Sequence, residues 1–131
     1  MKKSAAGRKR VLVVEDEPAI CLVCQRVLTS EGFEVDIAVN GNVAQGMLGK
    51  KDYDLVLIDI RTPVMDGKQL YQVIITKHPK LANGVVFTTG DVVDGYTQRF
   101  LELASRPFLP KPFTPGELKT IVTEASKQIE Q

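Results

Sequence analysis

Short apolar runs alternate with segments of helical periodicity along most of the chain. Residues 11–14 and 55–58 are wholly apolar with a β-branched bias, a pattern typical of parallel strands buried on both faces. Residues 33–39 instead alternate large apolar side chains with small or polar ones, which predicts a half-buried strand. The predicted strands are 11–14, 33–39, 54–59, 85–89 and 106–110, and the predicted helices are 18–30, 42–49, 68–77, 94–104 and 115–129.

The order of these elements, in which strands and helices alternate, predicts the fold class. Right-handed crossovers between consecutive strands produce a parallel sheet with helices on both faces. The alternating second strand and the fifth strand, which has prolines near both ends, belong at the sheet edges. We therefore expect an α/β fold, a flavodoxin-like (βα)5 doubly wound five-stranded parallel sheet with strand order 2-1-3-4-5. In such a sheet ligands bind at the carboxyl ends of the first and third strands.

The composition indicates one domain without a nucleic-acid surface. A chain of 131 residues, 44% of them hydrophobic, is long enough for one core and short for two. Five basic residues lie in the first ten, and without them the formal net charge falls from +1 to −4. We divide the chain into a basic flexible leader or linker, residues 1–9, and a mildly acidic domain, residues 10–131, which we do not expect to bind nucleic acid directly.

The apolar runs and the cysteines indicate a cytoplasmic protein. No run approaches the roughly 18–20 apolar residues of a membrane span, so we expect no membrane association. Cys21 and Cys24 form a C-x-x-C pair, but they lie on the apolar side of a predicted helix, with no second pair and no histidine nearby. This setting favours core thiols over a metal or redox site, and reduced thiols are typical of the cytoplasm.

Polar residues follow four of the predicted strands. Asp59 ends an apolar run, Glu15 and Asp16 follow the first strand, Thr89 ends the fourth, and Lys111 follows the fifth. Taken alone, Asp59 is equally well explained as the start of a turn. Clustered carboxylates, however, ionise together only where a cation lies between them, and hard oxygen ligands suit Mg²⁺. With a lysine and a threonine to bind an anion, the set predicts a site in which Asp59 is a nucleophile toward a phosphoryl group.

These residues and their spacing resemble the receiver domain of two-component response regulators (CheY-like), over residues 10–130. The resemblance depends on the whole set, because each motif alone is weakly specific. The matching residues are Glu15-Asp16, Asp59, Pro63, Asp66-Gly67, Thr89-Gly90, Phe108 and Lys111-Pro112-Phe113.

The resemblance implies a metal-dependent phosphoacceptor. Asp59 is the implied acceptor of the phosphoryl group. Asp16 and Asp59 are the implied direct ligands of Mg²⁺, together with the backbone carbonyl of Arg61, and Glu15 holds the metal through water.

The resemblance also implies a switch. Lys111 pairs with the phosphoryl group, Thr89 binds one of its oxygens, and Phe108 turns inward when Thr89 moves. The Lys111–Pro112 peptide bond is expected to be cis, a form found in only about 5–6% of X–Pro bonds.

The implied function is signal transduction by phosphorelay. The donor is a phosphohistidine on a sensor histidine kinase or a histidine phosphotransfer protein. Phosphorylation then changes the surface formed by the fourth helix, fifth strand and fifth helix, which is also the candidate face for a homodimer. The domain is a signalling module rather than an enzyme, although it supports its own phosphorylation and dephosphorylation.

Arg61 and Asp91 flank the expected entrance of the site. We interpret them as a candidate ion pair that gates access of the attacking water or of the donor. Two separately solvated side chains explain the sequence equally well, because exposed pairs contribute only about 0–1 kcal/mol.

Three other functions remain to be weighed. A docking module that is never phosphorylated is the main alternative, and the complete set of acceptor residues disfavours it. A phosphatase of the haloacid-dehalogenase type needs a second Asp two residues after the nucleophile, where this chain has Arg61. A flavin-binding flavodoxin needs a phosphate-binding loop after residue 14, where this chain has three acids. The sequence leaves open a stand-alone regulator, a part of a longer regulator and the receiver of a hybrid kinase.

Overall fold

The fold was analysed in a computed structural model that describes residues 7–62, 65–90 and 95–130. Five strands alternate with five helices, as the sequence predicts. The elements are β1 Arg10–Val14, α1 Pro18–Ser30, β2 Glu34–Ala38, α2 Gly41–Leu48, β3 Leu55–Asp59, α3 Gly67–Lys77, β4 Val85–Thr89, α4 Gly95–Ala104, β5 Phe108–Pro110 and α5 Pro115–Ile129, with a short 3₁₀ turn Leu81–Gly84 before β4.

All five strands form one parallel sheet in the order β2-β1-β3-β4-β5. The predicted fold class and strand order are therefore confirmed. β3 and β4 are buried along their whole length, as expected of central strands with helices on both faces.

Two hydrophobic clusters, one on each face of the sheet, form the core. One lies under α2, α3 and α4 and contains Phe87, Leu70 and Tyr71 among its buried residues. The other lies under α1 and α5 and contains Leu28 and Leu118. Because adjacent residues of a strand point to opposite faces, each central strand contributes to both clusters.

Local capping sequences fix where the helices near the site begin. Asp66 and Gln69 form a capping box at the start of α3, and Thr114 and Glu117 form one at the start of α5. Each box satisfies two backbone N–H groups that a helix terminus otherwise leaves free. Gly67 opens α3 beneath β3, where an added Cβ would lie 2.7 Å from the Cα of Ile60.

The structure differs from the prediction at α4 and β5. On α4 the apolar stripe is mostly not buried: Tyr96 and Leu103 are 74% and 76% exposed, and Thr97 is the buried residue of the helix. β5 begins at Phe108 rather than at 106. The guanidinium group of Arg106 instead donates to the carbonyl of Asn83, before β4, and to that of Val85, at the start of β4. Apolar patterning does not reveal such a side-chain role.

Candidate functional site

The strand register places the predicted polar residues at one edge of the sheet. Val14 of β1 pairs with Ile58 of β3. The residues that directly follow this pair, Glu15 and Asp59, therefore lie at the same edge of the sheet. At the other side of β4, the backbone N–H of Lys111 donates to the carbonyl of Thr89 at 3.1 Å. Residues from β1, β3, β4 and the end of β5 therefore converge, as carboxyl ends of parallel strands must.

Lys111 is at the centre of this edge. Its Nζ lies 2.9 Å from Glu15 Oε1, 2.9 Å from Glu17 Oε1 and 2.9 Å from Asp59 Oδ2. An ammonium group has three N–H donors, and three carboxylates surround it here. We refer to Glu15, Glu17, Asp59 and Lys111 as the acidic site.

The three carboxylates of the acidic site differ in exposure. The side chains of Glu15 and Asp59 are 2% and 5% exposed, whereas that of Glu17 is 58% exposed. Glu15 and Asp59 are therefore largely removed from water and depend on the protein for compensating charge, while Glu17 retains access to solvent.

Burial and charge shift the pKa values of the site. Burial raises the pKa of Glu15 to about 7, with a further contribution from the charge of Asp59, against the lowering effect of the hydrogen bond to Lys111. For Lys111, burial lowers the pKa, but hydrogen bonds to Glu17, Glu15 and Asp59 outweigh it and raise the pKa above its ordinary value. Lys111 therefore stays charged at neutral pH, and its one positive charge faces three acids.

The turn after β3 holds Asp59 in place. The backbone N–H of Arg61 donates to Asp59 Oδ1 at 3.0 Å, while Oδ2 accepts from Lys111 at 2.9 Å. The N–H of Thr62 donates to the Asp59 carbonyl at 3.3 Å, and the N–H of Gly67 donates to the Ile60 carbonyl at 3.0 Å. Asp59 is thus oriented by backbone and side-chain donors together.

The three carboxylates of the acidic site are ligands of the kind that a hard divalent cation binds. One carboxylate oxygen each from Glu15, Glu17 and Asp59 lie within 4.8 Å of one another, among the residues that the structure describes. Oxygen donors of this kind suit Mg²⁺ or Ca²⁺, and three carboxylates face the single ammonium group of Lys111, which leaves negative charge that a divalent cation would neutralise. The residues therefore fit the metal that the sequence led us to expect.

Two acids of the segment after β1 are placed differently from the expectation. Asp16, the predicted direct ligand, is exposed and is not part of the group of three carboxylates, so its role as a ligand stays a prediction. Glu17, for which the sequence predicted no role, belongs to the group. The backbone of Glu17 is extended, and in an extended chain residues two positions apart point to the same side. The spacing of Glu15 and Glu17 was therefore the available signal.

The predicted switch and gate residues are found around the acidic site. Thr89 is buried, and Phe108 packs against the core cluster that contains Phe87. The Lys111–Pro112 peptide bond is cis. Arg61 is exposed, while Asp91 lies outside the described residues, so the candidate gate pair stays a prediction.

Comparison with known proteins identifies relatives of this arrangement. Residues 11–123 match the sequence model of the response regulator receiver domain. The chain is 33% identical over 121 residues to the sensor kinase CckA of Brucella abortus, covering 91% of this chain and 13% of that protein. It is 32% identical over 129 residues to the transcriptional regulatory protein PcoR of Escherichia coli, covering 92% of this chain and 54% of that protein. The chain thus spans about half or less of these relatives' lengths.

The fold comparison agrees with the sequence comparison. The crystal structure of a response regulator receiver domain protein (CheY-like) from Methanospirillum hungatei superposes with a TM-score of 0.85 at 27% identity, covering 94% of this chain and 97% of that one. None of the helices in the described part of the chain combines the length and the apolar character needed to span a bilayer.

Proposed function

Because this chain belongs to the response regulator receiver domain family, we propose that it acts in a phosphorelay by accepting a phosphoryl group on Asp59. The donor is a phosphohistidine of a sensor histidine kinase or a histidine phosphotransfer protein. The observation that carries the proposal is the 2.9 Å contact between Asp59 Oδ2 and Lys111 Nζ at a buried sheet edge, which joins a nucleophile to the positive charge that the transferred group requires.

The transfer exchanges one bond to phosphorus for another. A carboxylate oxygen of Asp59 attacks the phosphorus, an O–P bond forms, and the P–N bond to the donor imidazole breaks. The imidazole nitrogen keeps the electron pair of that bond and takes a proton. Lys111 neutralises the charge of the transferred group, and the N–H of Arg61, 3.0 Å from Asp59 Oδ1, keeps the carboxylate oriented during the in-line displacement.

Glu15 and Asp59 would hold the metal ion from within the sheet edge, and Asp16 and the carbonyl of Arg61 are the further ligands that family resemblance suggests. Bound Mg²⁺ supplies positive charge that neutralises phosphoryl oxygens. The protein's own contribution is to keep two carboxylates side by side in a buried position, where they are costly unless a cation compensates them.

Phosphorylation would change the surface formed by α4, β5 and α5. The acyl phosphate carries about 1.5 to 2 negative charges at neutral pH, where the Asp59 carboxylate carried one, and it places them further out on three phosphoryl oxygens. Thr89 ends β4 and pairs with Pro110, and Phe108 of β5 pairs with Phe87 two residues earlier on β4, so a movement of Thr89 toward the phosphoryl group would act on the strand pair that carries these two aromatic side chains. Phe87 in turn contacts Phe100 of α4 with ring centroids 5.3 Å apart.

The direct test is phosphorylation by a small-molecule donor. The chain is incubated with phosphoramidate and Mg²⁺, and its intact mass is measured. We expect an increase of about 80 Da, which corresponds to one acyl phosphate per chain. The increase should be absent in Asp59→Asn and present in the control Asp52→Asn, because residue 52 lies at an exposed position. An unmodified wild-type protein would instead favour the docking module that is never phosphorylated.

A further inference from the structure

Glu17 contacts Lys111 and belongs to the group of three carboxylates, but it is not among the proposed metal ligands and has no assigned role in the transfer. Its Oε1 accepts a hydrogen bond from Lys111 Nζ at 2.9 Å, as close as the contacts of the two buried acids. Glu17 also precedes Pro18 at the N-cap position of α1, yet its side chain makes no capping hydrogen bond. Its carboxylate therefore binds Lys111 instead of the adjacent helix terminus.

The geometry around Lys111 sets up a competition. Three carboxylates already surround the ammonium group at 2.9 Å, so a phosphoryl group on Asp59 takes over the Asp59 contact and its other oxygens compete with Glu15 and Glu17 for the remaining N–H donors. Glu15 and Asp59 are nearly inaccessible to solvent, whereas the Glu17 side chain is 58% exposed. Glu17 is therefore the carboxylate whose release costs least, because water can replace the lysine as its partner.

A second position is available to the released carboxylate. Glu17 lies at the N-terminus of α1, where the helix dipole favours negative charge. Pro18 has no N–H, and the N–H of Ile20 already donates to the Glu17 carbonyl at 3.1 Å, so the dipole and water, rather than several free N–H groups, would stabilise the carboxylate there; in its present position the side chain makes no capping hydrogen bond. The residue thus has two alternative partners, Lys111 and the start of α1.

From these contacts we infer that Glu17 is a positioning residue that holds Lys111 while Asp59 is unmodified and releases it when Asp59 is phosphorylated. This inference rests on the proposed function. Its consequence is that Glu17 opposes binding of a phosphoryl group or its analogue, because its carboxylate competes with the phosphoryl oxygens for Lys111. Since Lys111 also neutralises the group during transfer, loss of Glu17 should speed phosphorylation as well.

The test compares three variants with the wild type. Beryllofluoride with Mg²⁺, an analogue of the acyl phosphate, is titrated into ¹⁵N-labelled protein, and affinity is read from amide chemical shifts; the initial rate of phosphorylation by phosphoramidate is the second readout. Glu17→Gln removes the charge, Glu17→Asp keeps it but shortens the side chain, and Glu124→Gln removes an equal charge from an exposed position on α5.

We expect Glu17→Gln and Glu17→Asp both to bind beryllofluoride more tightly and to be phosphorylated faster, by about two- to five-fold, the range of an exposed ion pair. Glu124→Gln should equal the wild type. If Glu17→Asp matches the wild type while Glu17→Gln binds more tightly, only long-range charge is involved and the inference is wrong. Unchanged or weaker binding in Glu17→Gln also overturns it. A wild type that takes up neither beryllofluoride nor a phosphoryl group contradicts the proposed function itself.

Discussion

Lys111 and Glu15 form an ion pair of 2.9 Å in which both side chains are nearly inaccessible, 11% and 2% exposed respectively. A buried pair of this kind contributes little net stability compared with an apolar replacement of both partners, but removing one partner leaves the other charge unpaired away from water. Lys111 neutralises Asp59 as well, so its loss leaves two buried carboxylates without their cation.

Lys111→Met should therefore destabilise the metal-free protein by about 3 kcal/mol at around pH 7.5. The pKa of Glu15 is already raised from 4.5 to about 7 in the presence of the lysine, so the carboxyl group takes up a proton in mildly acidic solution. The cost should consequently be smaller near pH 5.5, where less unpaired charge remains. Urea denaturation at the two pH values, without metal, measures both quantities.

The matched control for this prediction is Lys119→Met. Lys119 pairs with Glu31 at 3.4 Å, and its side chain is 56% exposed. Its loss should cost at most about 1 kcal/mol. An equal cost for Lys111→Met at both pH values would show that unpaired carboxylate charge is not the cause.

Gly67 should tolerate a side chain poorly because the end of β3 and the residue after it pass close to its Cα. A Cβ at this position would lie 2.7 Å from Ile60 Cα and 2.8 Å from Ile58 Cγ2. Gly67→Ala is therefore expected to destabilise the protein by about 1–3 kcal/mol through overpacking. Thermal denaturation, or urea denaturation, measures the loss.

Gly46→Ala should have the opposite effect on stability. Gly46 lies inside α2, and a Cβ there meets nothing within 4 Å. Alanine should stabilise the protein by roughly 0.5–1 kcal/mol, because it restricts the unfolded chain and favours a helix. Equal effects of the two substitutions would contradict the packing explanation for Gly67.

The sequence predicted what depends on local pattern and on topology. Apolar periodicity identified the five strands and five helices, and the edge character of β2 and β5 gave the strand order. Parallel strands end at one edge, so the convergence of Glu15, Asp59 and Lys111 followed without coordinates.

What the sequence did not predict depends on side-chain direction and on tertiary packing. Whether Asp16 or Glu17 faces Lys111 is decided by the extended conformation of a three-residue segment, which apolar periodicity does not describe. The exposure of Tyr96 and Leu103 depends on how α4 sits on the sheet, although their helical spacing alone resembles that of a buried stripe.

The two cysteines should differ in reactivity although both are free. Burial raises the pKa of Cys24 to about 12, and its side chain is inaccessible. Cys21 is half-buried, its Sγ donates to the carbonyl of Glu15 at 3.3 Å, and burial together with the charge of Glu15 raises its pKa. Since the thiolate is the reactive form, both should be slow.

We expect alkylation by iodoacetamide near neutral pH to modify Cys21 slowly and Cys24 only through global unfolding. Peptide mass spectrometry over time measures the two sites separately, and the same reaction in denaturing urea supplies the unhindered rates. In Cys21→Ser the remaining thiol should label at the unfolding-limited rate. Rapid labelling of Cys24 in the native protein would show that α1 opens locally.

The edge strand β2 is joined to the segment before β3 by the carboxylate of Asp36. Its Oδ2 accepts a hydrogen bond from the hydroxyl of Tyr53 at 2.7 Å and one from Lys51 Nζ at 3.0 Å. Burial raises the pKa of Asp36, but the hydrogen bonds from Tyr53 and Lys51 outweigh this and leave the pKa below its ordinary value. A depressed carboxyl pKa contributes stability above the unfolded-state pKa of about 3.9, and that contribution is lost as the pH falls through the folded-state value.

Tyr53→Phe should therefore destabilise the protein by about 1–2 kcal/mol near neutral pH, because it removes a hydrogen bond to a charged and partly buried acceptor. The loss should shrink as the pH falls through the depressed folded-state pKa of Asp36 and the carboxyl group becomes protonated. Lys51→Met, which removes an ion pair whose lysine is 44% exposed, should cost less, about 0–1 kcal/mol. Urea denaturation of the three proteins between neutral and acidic pH tests the ranking. A Tyr53→Phe cost that does not vary with pH would show that the hydrogen bond to the ionised Asp36 is not its cause.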